Sequence, residues 1–189
     1  MIELKNKSPN LLVIGDLMID QYFWGKSERI SPEAPVQVIN VENESVILGG
    51  AGNVINNLKV FGANVDVISV IGKGENATKL KELLAAINVD VKYLVTESNR
   101  ITSKKSRVIA SQQQVVRYDH ESTDEISISS QKFILDTFKK IINNYEIILI
   151  SDYGKGVLST ELTQSIINIA NQHNKKVLID PKGLDYSKY

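Results

Sequence analysis

The sequence predicts an α/β protein with a mostly parallel sheet and a second, smaller sheet beside it. Two compact apolar runs, residues 11–15 (LLVIG) and 147–150 (IILI), are typical of strands that are buried on both faces. Helical stripes of apolar residues alternate with such runs, which indicates βαβ units. Short segments of alternating polarity at two other places predict strands with one exposed face.

The hydrophobic pattern gives the order of the elements. A helix opens at residues 49–53 (GGAGN), with Val54, Leu58 and Phe61 predicted on one face and Gly62 at its end. A later helix carries a stripe of Phe133, Ile134, Phe138, Ile141 and Ile142. The predicted strands of the parallel sheet are residues 11–15, 65–71, 89–95, 147–150 and 177–179, the other helices are residues 77–87 and 162–170, and the smaller sheet takes residues 19–25, 35–41 and 102–119.

Composition excludes several classes of function. The chain has 189 residues, 22 basic and 22 acidic side chains and no cysteine, so bulk charge favours neither nucleic acid nor a membrane surface, and thiol chemistry is excluded. Residues 1–10 are polar, and no apolar run approaches the roughly 18 residues of a membrane helix. We therefore expect a cytoplasmic protein without an export signal or anchor.

Polar turns follow three of the predicted parallel strands. They are residues 15–20 (GDLMID), 151–156 (SDYGKG) and 180–183 (DPKG). Because the carboxyl ends of parallel strands meet at one edge of the sheet, these turns are expected to converge on one crevice that binds a small polar ligand. Asp20, Asp152 and Lys155 are the candidate ligand contacts, whereas Asp16 alone is more typical of a residue that turns the chain.

The glycine motif and a group of cations have two interpretations each. Gly49, Gly50 and Asn53 at a helix start favour contact with ligand oxygens, but a tight turn explains the glycines equally well. Lys105, Arg107 and Arg117 on polar strands are suited to a phosphate, although such residues are usually a solvated face. The spacing of His120 and His173 does not match a metal site, and no nucleophile triad emerges.

Together these motifs resemble a known family of enzymes. The stretches RISPEAPV (residues 29–36), GGAGN (49–53), QQQVVR (112–117), SDYGKG and DPKG resemble, in order and spacing, the D-glycero-β-D-manno-heptose 7-phosphate kinases. These belong to the ribokinase-like, or PfkB, carbohydrate kinases. The resemblance extends from about residue 10 to residue 189. It implies a three-layer α/β sandwich with a small β-sheet lid that commonly pairs with a second lid in a homodimer.

The resemblance also implies roles for particular residues. Asp20, Gly49, Gly50 and Asn53 correspond to contacts with sugar hydroxyls, and Asp152 and Lys155 to further pocket residues. Lys105 and Arg117, with Arg107 as a weaker candidate, correspond to positions near the 7-phosphate. The implied reaction uses ATP and Mg²⁺ to phosphorylate the anomeric hydroxyl of heptose 7-phosphate, giving the 1,7-bisphosphate for ADP-heptose and lipopolysaccharide synthesis. The implied core is residues 1–16, 49–94 and 121–189, and the implied lid is residues 17–48 and 95–120.

Departures from the family pattern affect the expected activity. Ser111 stands where the family often has arginine, and Gly52 stands where alanine is usual. The family's glycine-rich motif, which ends in the aspartate that acts as catalytic base, is not found up to Tyr189. We therefore expect the base and the nucleotide-binding half to lie beyond Tyr189, with no catalytic or metal-binding residue within this sequence and little activity from this chain alone.

Besides the heptose 7-phosphate kinase, two alternatives stay open at this point. One is a non-catalytic module that binds a sugar phosphate or dimerises through its lid, and the other is a kinase for another sugar such as ribose or fructose. Sugar binding without ATP binding fits the module. A strong dependence of binding on Lys105 and Arg117 fits a phosphorylated sugar.

Overall fold

The computed structural model describes residues 8–189. The prediction that the start of the chain lacks an export signal concerns mainly residues 1–7, which lie outside the described residues. The strands are β1 (Asn10–Gly15), β2 (Leu17–Ile30), β3 (Gln37–Gly50), β4 (Asn64–Ile71), β5 (Leu94–Thr96), β6 (Ser103–Ala110), β7 (Gln113–His120), β8 (Ile147–Ser151) and β9 (Lys176–Asp180). The helices are α1 (Ala51–Val60), α2 (Glu75–Ala86), α3 (Ile128–Ile141) with a 3₁₀ turn at Ile142–Asn144, and α4 (Thr160–Gln172).

The central sheet has five parallel strands in the order β5-β4-β1-β8-β9. Successive side chains of β1 point to opposite faces of the sheet, and both faces are covered. Leu11 and Val13 join a core cluster with residues of α1 and α2. Leu12 and Ile14 join a second cluster with residues of α3 and α4. The apolar run of β1 is therefore the middle of an α/β/α sandwich, which confirms the predicted fold class.

The second sheet has four strands in the order β3-β2-β6-β7. β2 runs parallel to β6, while β3 and β7 are antiparallel to their neighbours. β2 and β3 are each 14 residues long, so both strands extend well beyond the segments that alternation predicted. The two separate stretches of polar strand pattern therefore pair in one sheet. The division of the chain into core and lid segments stays a prediction.

A tight turn and a register shift determine which residues of β6 and β7 face each other. Ser111 and Gln112 both have positive φ, 50° and 67°, as the central residues of a two-residue hairpin with the favoured twist have. Ile109 lies opposite Gln114 but Val108 lies opposite Val116, so one extra residue of β7 bulges out. Beyond this bulge Lys105 lies opposite Asp119 and Arg107 lies opposite Arg117. Ser111, the departure from the family pattern, thus occupies the turn itself.

Three details of the hydrophobic pattern were predicted wrongly. Phe61 follows the last turn of α1 and is 77% exposed, whereas Ile55 is the large apolar residue that α1 buries. Phe133 is 46% exposed although it was predicted on the buried stripe of α3. The strand predicted at residues 89–95 is the shorter β5, because Asn88 takes a left-handed conformation and buried Val89 anchors the turn after α2.

We predict that Phe138→Ala lowers the free energy of unfolding by about 3–5 kcal/mol, because Phe138 is fully buried between the central sheet and α4. Phe133→Ala removes the same atoms from the exposed side of the same helix, and should cost less than about 1 kcal/mol. Chemical denaturation followed by circular dichroism measures both values. Equal losses for the two variants would contradict the assignment of the buried stripe.

Candidate functional site

The carboxylate of Asp16 organises the carboxyl edge of the central sheet. Asp16 follows β1 directly and is 1% exposed. Its Oδ2 accepts hydrogen bonds from the backbone N–H of Tyr153 at 2.8 Å and of Lys155 at 3.1 Å, and its Oδ1 accepts one from Val157 at 3.2 Å. The loop after β8 therefore folds around the residue after β1. The interpretation that Asp16 turns the chain fits this geometry.

Burial and hydrogen bonding act in opposite directions on Asp16. Burial raises the pKa of its carboxyl group, the three backbone N–H groups lower it, and the net direction is upward. The contribution of Asp16 to stability is therefore greatest at low pH and decreases as the pH rises through its raised pKa. The carboxylate is held in place chiefly because the three N–H groups have no other acceptor.

Arg100 fixes the same loop from another side, and sequence reasoning missed it. Arg100 is only 8% exposed. Its guanidinium donates hydrogen bonds to the carbonyl oxygen of Asp124, at 3.0 Å, and to that of Lys155. Burial lowers the pKa of Arg100, while nearby Glu97 and Asp16 oppose that change. Arg100 lies between β5 and β6, so it ties the chain entering the second sheet to the loop after β8. A single arginine in a polar stretch gave no signal of this role.

The Asp152 side chain has partners outside the set of predicted site residues. Its buried carboxylate accepts hydrogen bonds from the backbone N–H of Gly154 at 2.8 Å and from the Tyr189 hydroxyl at 2.9 Å, and it pairs with Lys188. Its own N–H donates to the carbonyl of Asp180 at 2.9 Å. The three predicted polar turns therefore do converge, but the Asp152 side chain is engaged by the last residues of the chain.

The glycine turn between β3 and α1 brings Asp20 close to the start of that helix. A Cβ on Gly49 would lie 2.4 Å from Oδ2 of Asp20, so only glycine leaves room for this carboxylate. Gly50 has a φ of 54°, and a Cβ there would lie 2.7 Å from the carbonyl oxygen of Asp16. Asn53 is exposed in the first turn of α1, which has no side-chain cap. The turn thus requires both glycines and also presents uncapped helix N–H groups beside Asp20.

A charged cluster covers one face of the second sheet. Arg107 donates to Oδ1 of Asp20 at 2.6 Å, and its guanidinium lies 5.1 Å from the centroid of the Tyr22 ring. Lys105 donates to Asp119 at 2.9 Å. Because Asp20, Lys105 and Asp119 are register neighbours on three adjacent strands, their side chains share this face.

The cluster continues to the edge strand and to the core. Arg117 donates two hydrogen bonds to Asp119, at 2.8 and 2.7 Å, and this contact, more than any other, holds the pKa of the Asp119 carboxyl well below its usual range. Glu121 accepts from Lys105 at 3.0 Å and from Lys155 at 2.7 Å. Sequence reasoning missed Glu121, since only the folded chain places it between two lysines.

Of the nine predicted site residues, the structure thus joins Lys105, Arg117 and Lys155 in one network through Asp119 and Glu121, and it pairs Arg107 with Asp20 beside the glycine turn. Four cations and three carboxylates give the cluster a net charge of +1. A partly buried group with excess positive charge beside uncapped helix N–H groups is suited to a polar ligand that carries a phosphate.

Within residues 8–189, no group of three or more histidine, cysteine, aspartate or glutamate side chains is placed to hold a metal ion. No helix in this part of the chain is long and apolar enough to cross a membrane.

The architecture resembles that of solved sugar kinases. The structure of Arabidopsis thaliana ribokinase complexed with ribose and ATP matches with a TM-score of 0.64 at 13% sequence identity, covering 94% of this chain and 55% of that one. At this level of identity the match shows the fold. The five-stranded parallel sheet with a small mixed sheet at its edge is therefore a ribokinase-like α/β fold.

The sequence comparison is more specific. The family model of the pfkB family carbohydrate kinases matches residues 8–189, and the chain belongs to that family. The bifunctional protein HldE of Aliarcobacter butzleri is 63% identical over 184 residues, and that of Sulfurimonas denitrificans is 54% identical over 186. These alignments cover 97% and 98% of this chain, which spans 39% of the length of each relative. The predicted family is confirmed.

We predict that Asp16→Ala loosens the loop after β8, because three backbone N–H groups lose their acceptor. Amide hydrogen exchange at Tyr153, Lys155 and Val157 should accelerate by at least about tenfold. Asp136→Ala, at an exposed carboxylate on α3, is the control and should leave these three amides unchanged. Unaltered exchange in Asp16→Ala would show that another group holds the loop.

Proposed function

We propose that this chain supplies the sugar-phosphate site of an ATP-dependent kinase. The reaction is phosphorylation of the anomeric hydroxyl of D-glycero-β-D-manno-heptose 7-phosphate, which gives the 1,7-bisphosphate of ADP-heptose biosynthesis. The observation that carries the proposal is the cation cluster of Lys105, Arg107, Arg117 and Lys155 beside the glycine turn. An unphosphorylated sugar would not need four cations, whereas a phosphate dianion requires compensation when water is excluded.

The two ends of the substrate meet different groups in this proposal. The sugar hydroxyls donate to the carboxylate of Asp20 and receive hydrogen bonds from Asn53 and the uncapped N–H groups of α1. The 7-phosphate accepts hydrogen bonds from Lys105 and Arg117, with Arg107 held close to both ends by Asp20. These contacts orient the sugar so that its anomeric hydroxyl points away from the cations.

The phosphoryl donor in this proposal is ATP with Mg²⁺, which supplies the transferred group and neutralises its charge. Residues 8–189 provide no acidic cluster for the metal ion, and no residue is assigned to the donor. The contribution of this chain is therefore binding and orientation of the acceptor sugar. Because ATP is the donor, we place the reaction in the cytoplasm.

Assembly as a homodimer through the lid, formed by β2, β3, β6 and β7, is also part of the proposal. This sheet exposes several large apolar side chains, which is the usual mark of an interaction surface. On β7, Val116 and Tyr118 are each 49% exposed and alternate with Arg117 and Asp119, so they lie on the face opposite the charged cluster. A dimer formed through that face leaves the phosphate site open.

We expect the double variant Val116→Lys and Tyr118→Lys to shift the chain from dimer to monomer, because two ammonium groups would be buried in the interface. Sedimentation velocity over a range of concentrations measures this shift. Phe133→Lys, at an exposed aromatic residue on α3, is the control and should leave the dimer intact. A wild-type chain that stays monomeric at all concentrations would contradict assembly through the lid.

We expect Lys105→Ala and Arg117→Ala each to weaken binding of heptose 7-phosphate by about 10- to 100-fold, because each removes a charge-assisted hydrogen bond. Isothermal titration calorimetry with heptose 7-phosphate and with unphosphorylated heptose separates the two ends of the ligand. Binding of the unphosphorylated sugar should change by less than about threefold.

Lys104→Ala is the matched control for this experiment. Lys104 is the neighbour of Lys105 on β6, and its side chain lies on the opposite face of the sheet. The Lys104→Ala substitution removes one positive charge from the same strand but from the other face. It should therefore leave the affinities for heptose 7-phosphate and for unphosphorylated heptose nearly unchanged. The proposal fails if wild-type chain does not distinguish the phosphorylated from the unphosphorylated sugar.

A further inference from the structure

Glu121 connects a cation of the second sheet to a cation of the core. It lies just after β7, where the chain returns to the central layers. One carboxylate oxygen accepts a hydrogen bond from Lys105 at 3.0 Å, and the other accepts one from Lys155 at 2.7 Å. The side chain is only 17% exposed, so water contributes little to its solvation. Both oxygens are therefore committed to two lysines of the cation cluster.

The other two carboxylates of the cluster have different sets of partners. Asp119 receives two hydrogen bonds from Arg117 and one from Lys105, and Asp20 lies against the glycine turn and binds Arg107. Glu121 alone among the three contacts both lysines. A phosphate that reaches Lys105 and Lys155 must therefore either stay close to the Glu121 carboxylate, with repulsion between like charges, or replace it.

We propose that Glu121 is a counter-anion which the substrate phosphate displaces from Lys105 and Lys155, and that this competition limits the affinity of the site for anions such as free phosphate. The inference rests on the proposed function of the site. An unphosphorylated sugar leaves the pair of lysines with Glu121 and gains nothing there. Free phosphate must displace the same carboxylate without help from sugar contacts, so we expect it to bind weakly.

The charge state of Glu121 supports a competition of this kind. Burial alone would raise the pKa of its carboxyl group, but hydrogen bonds from Lys155 and Lys105 outweigh burial and lower it. Glu121 is therefore ionised at neutral pH. Replacing it with glutamine keeps the shape and removes one negative charge, which changes the net charge of the cluster from +1 to about +2.

The test is titration of the 189-residue chain and of Glu121→Gln with inorganic phosphate, heptose 7-phosphate and unphosphorylated heptose. We expect Glu121→Gln to bind inorganic phosphate about fivefold more tightly at low salt, with the gain shrinking as sodium chloride is added. Heptose 7-phosphate should also bind more tightly, while affinity for unphosphorylated heptose stays the same. A loss of fold alone would not strengthen binding of any ligand.

Two further variants control for shape and for overall charge. Glu125→Gln removes a negative charge from an exposed position in the same segment, and Glu121→Asp keeps the charge at the site. Both should bind inorganic phosphate within about twofold of the wild-type chain. Equal, weaker or undetectable phosphate binding by folded Glu121→Gln overturns the inference, even where wild type binds heptose 7-phosphate as proposed. If the wild-type chain binds heptose 7-phosphate and unphosphorylated heptose with equal affinity, the proposed function is overturned instead.

Discussion

The hydrogen bonds of one buried residue, Asp16, hold the site together. Its backbone N–H donates to the carbonyl of Ser151 at 3.1 Å, its carbonyl accepts from Ala51 at 3.0 Å, and its carboxylate accepts from three N–H groups of the loop after β8. The end of β1, the end of β8 and the start of α1 are therefore fixed relative to one another. Because β2 begins at the next residue, the second sheet starts from this fixed point.

The second sheet is attached to that point by apolar packing of Leu17, Ile19 and Leu48 in the core and also by charged side chains. Arg100 holds the segment that enters β6, and Glu121 holds the segment that leaves β7. Both contact Lys155. Arg100 donates to the carbonyl oxygen of Lys155, and Glu121 accepts from the ammonium group of Lys155. Charge-assisted contacts of this type can exchange partners without unpacking a core, whereas the clusters around β1 cannot. The chain thus combines a rigid central sheet with a charged joint at its edge.

The sequence was sufficient for the central sheet and for the convergence of its polar turns, since apolar runs and strand ends are local patterns. It was insufficient for the charged cluster. Whether Lys105 meets Asp119 depends on the two-residue turn at Ser111 and on the one-residue bulge opposite Val108 and Ile109. A slip of one residue would move every side chain of β7 to the other face. Phe61 was misplaced for a similar reason, because periodicity does not indicate where the next element covers a helix. Glu121 and Arg100 act through partners distant in the sequence, which no local pattern reveals.

A phosphate site made of paired cations must satisfy two opposing requirements. Four partly buried cations without partners would repel each other and destabilise the second sheet, so Asp20, Asp119 and Glu121 stabilise the fold when no ligand is bound. The same carboxylates weaken attraction for any incoming anion. The phosphate end of a ligand therefore gains less affinity than four unpaired cations would give, and contacts at the sugar end must supply part of the net affinity. Asp20 belongs to both groups, because it accepts from Arg107 and lies over the glycine turn, so it couples recognition of the hydroxyls to the charge balance of the cluster.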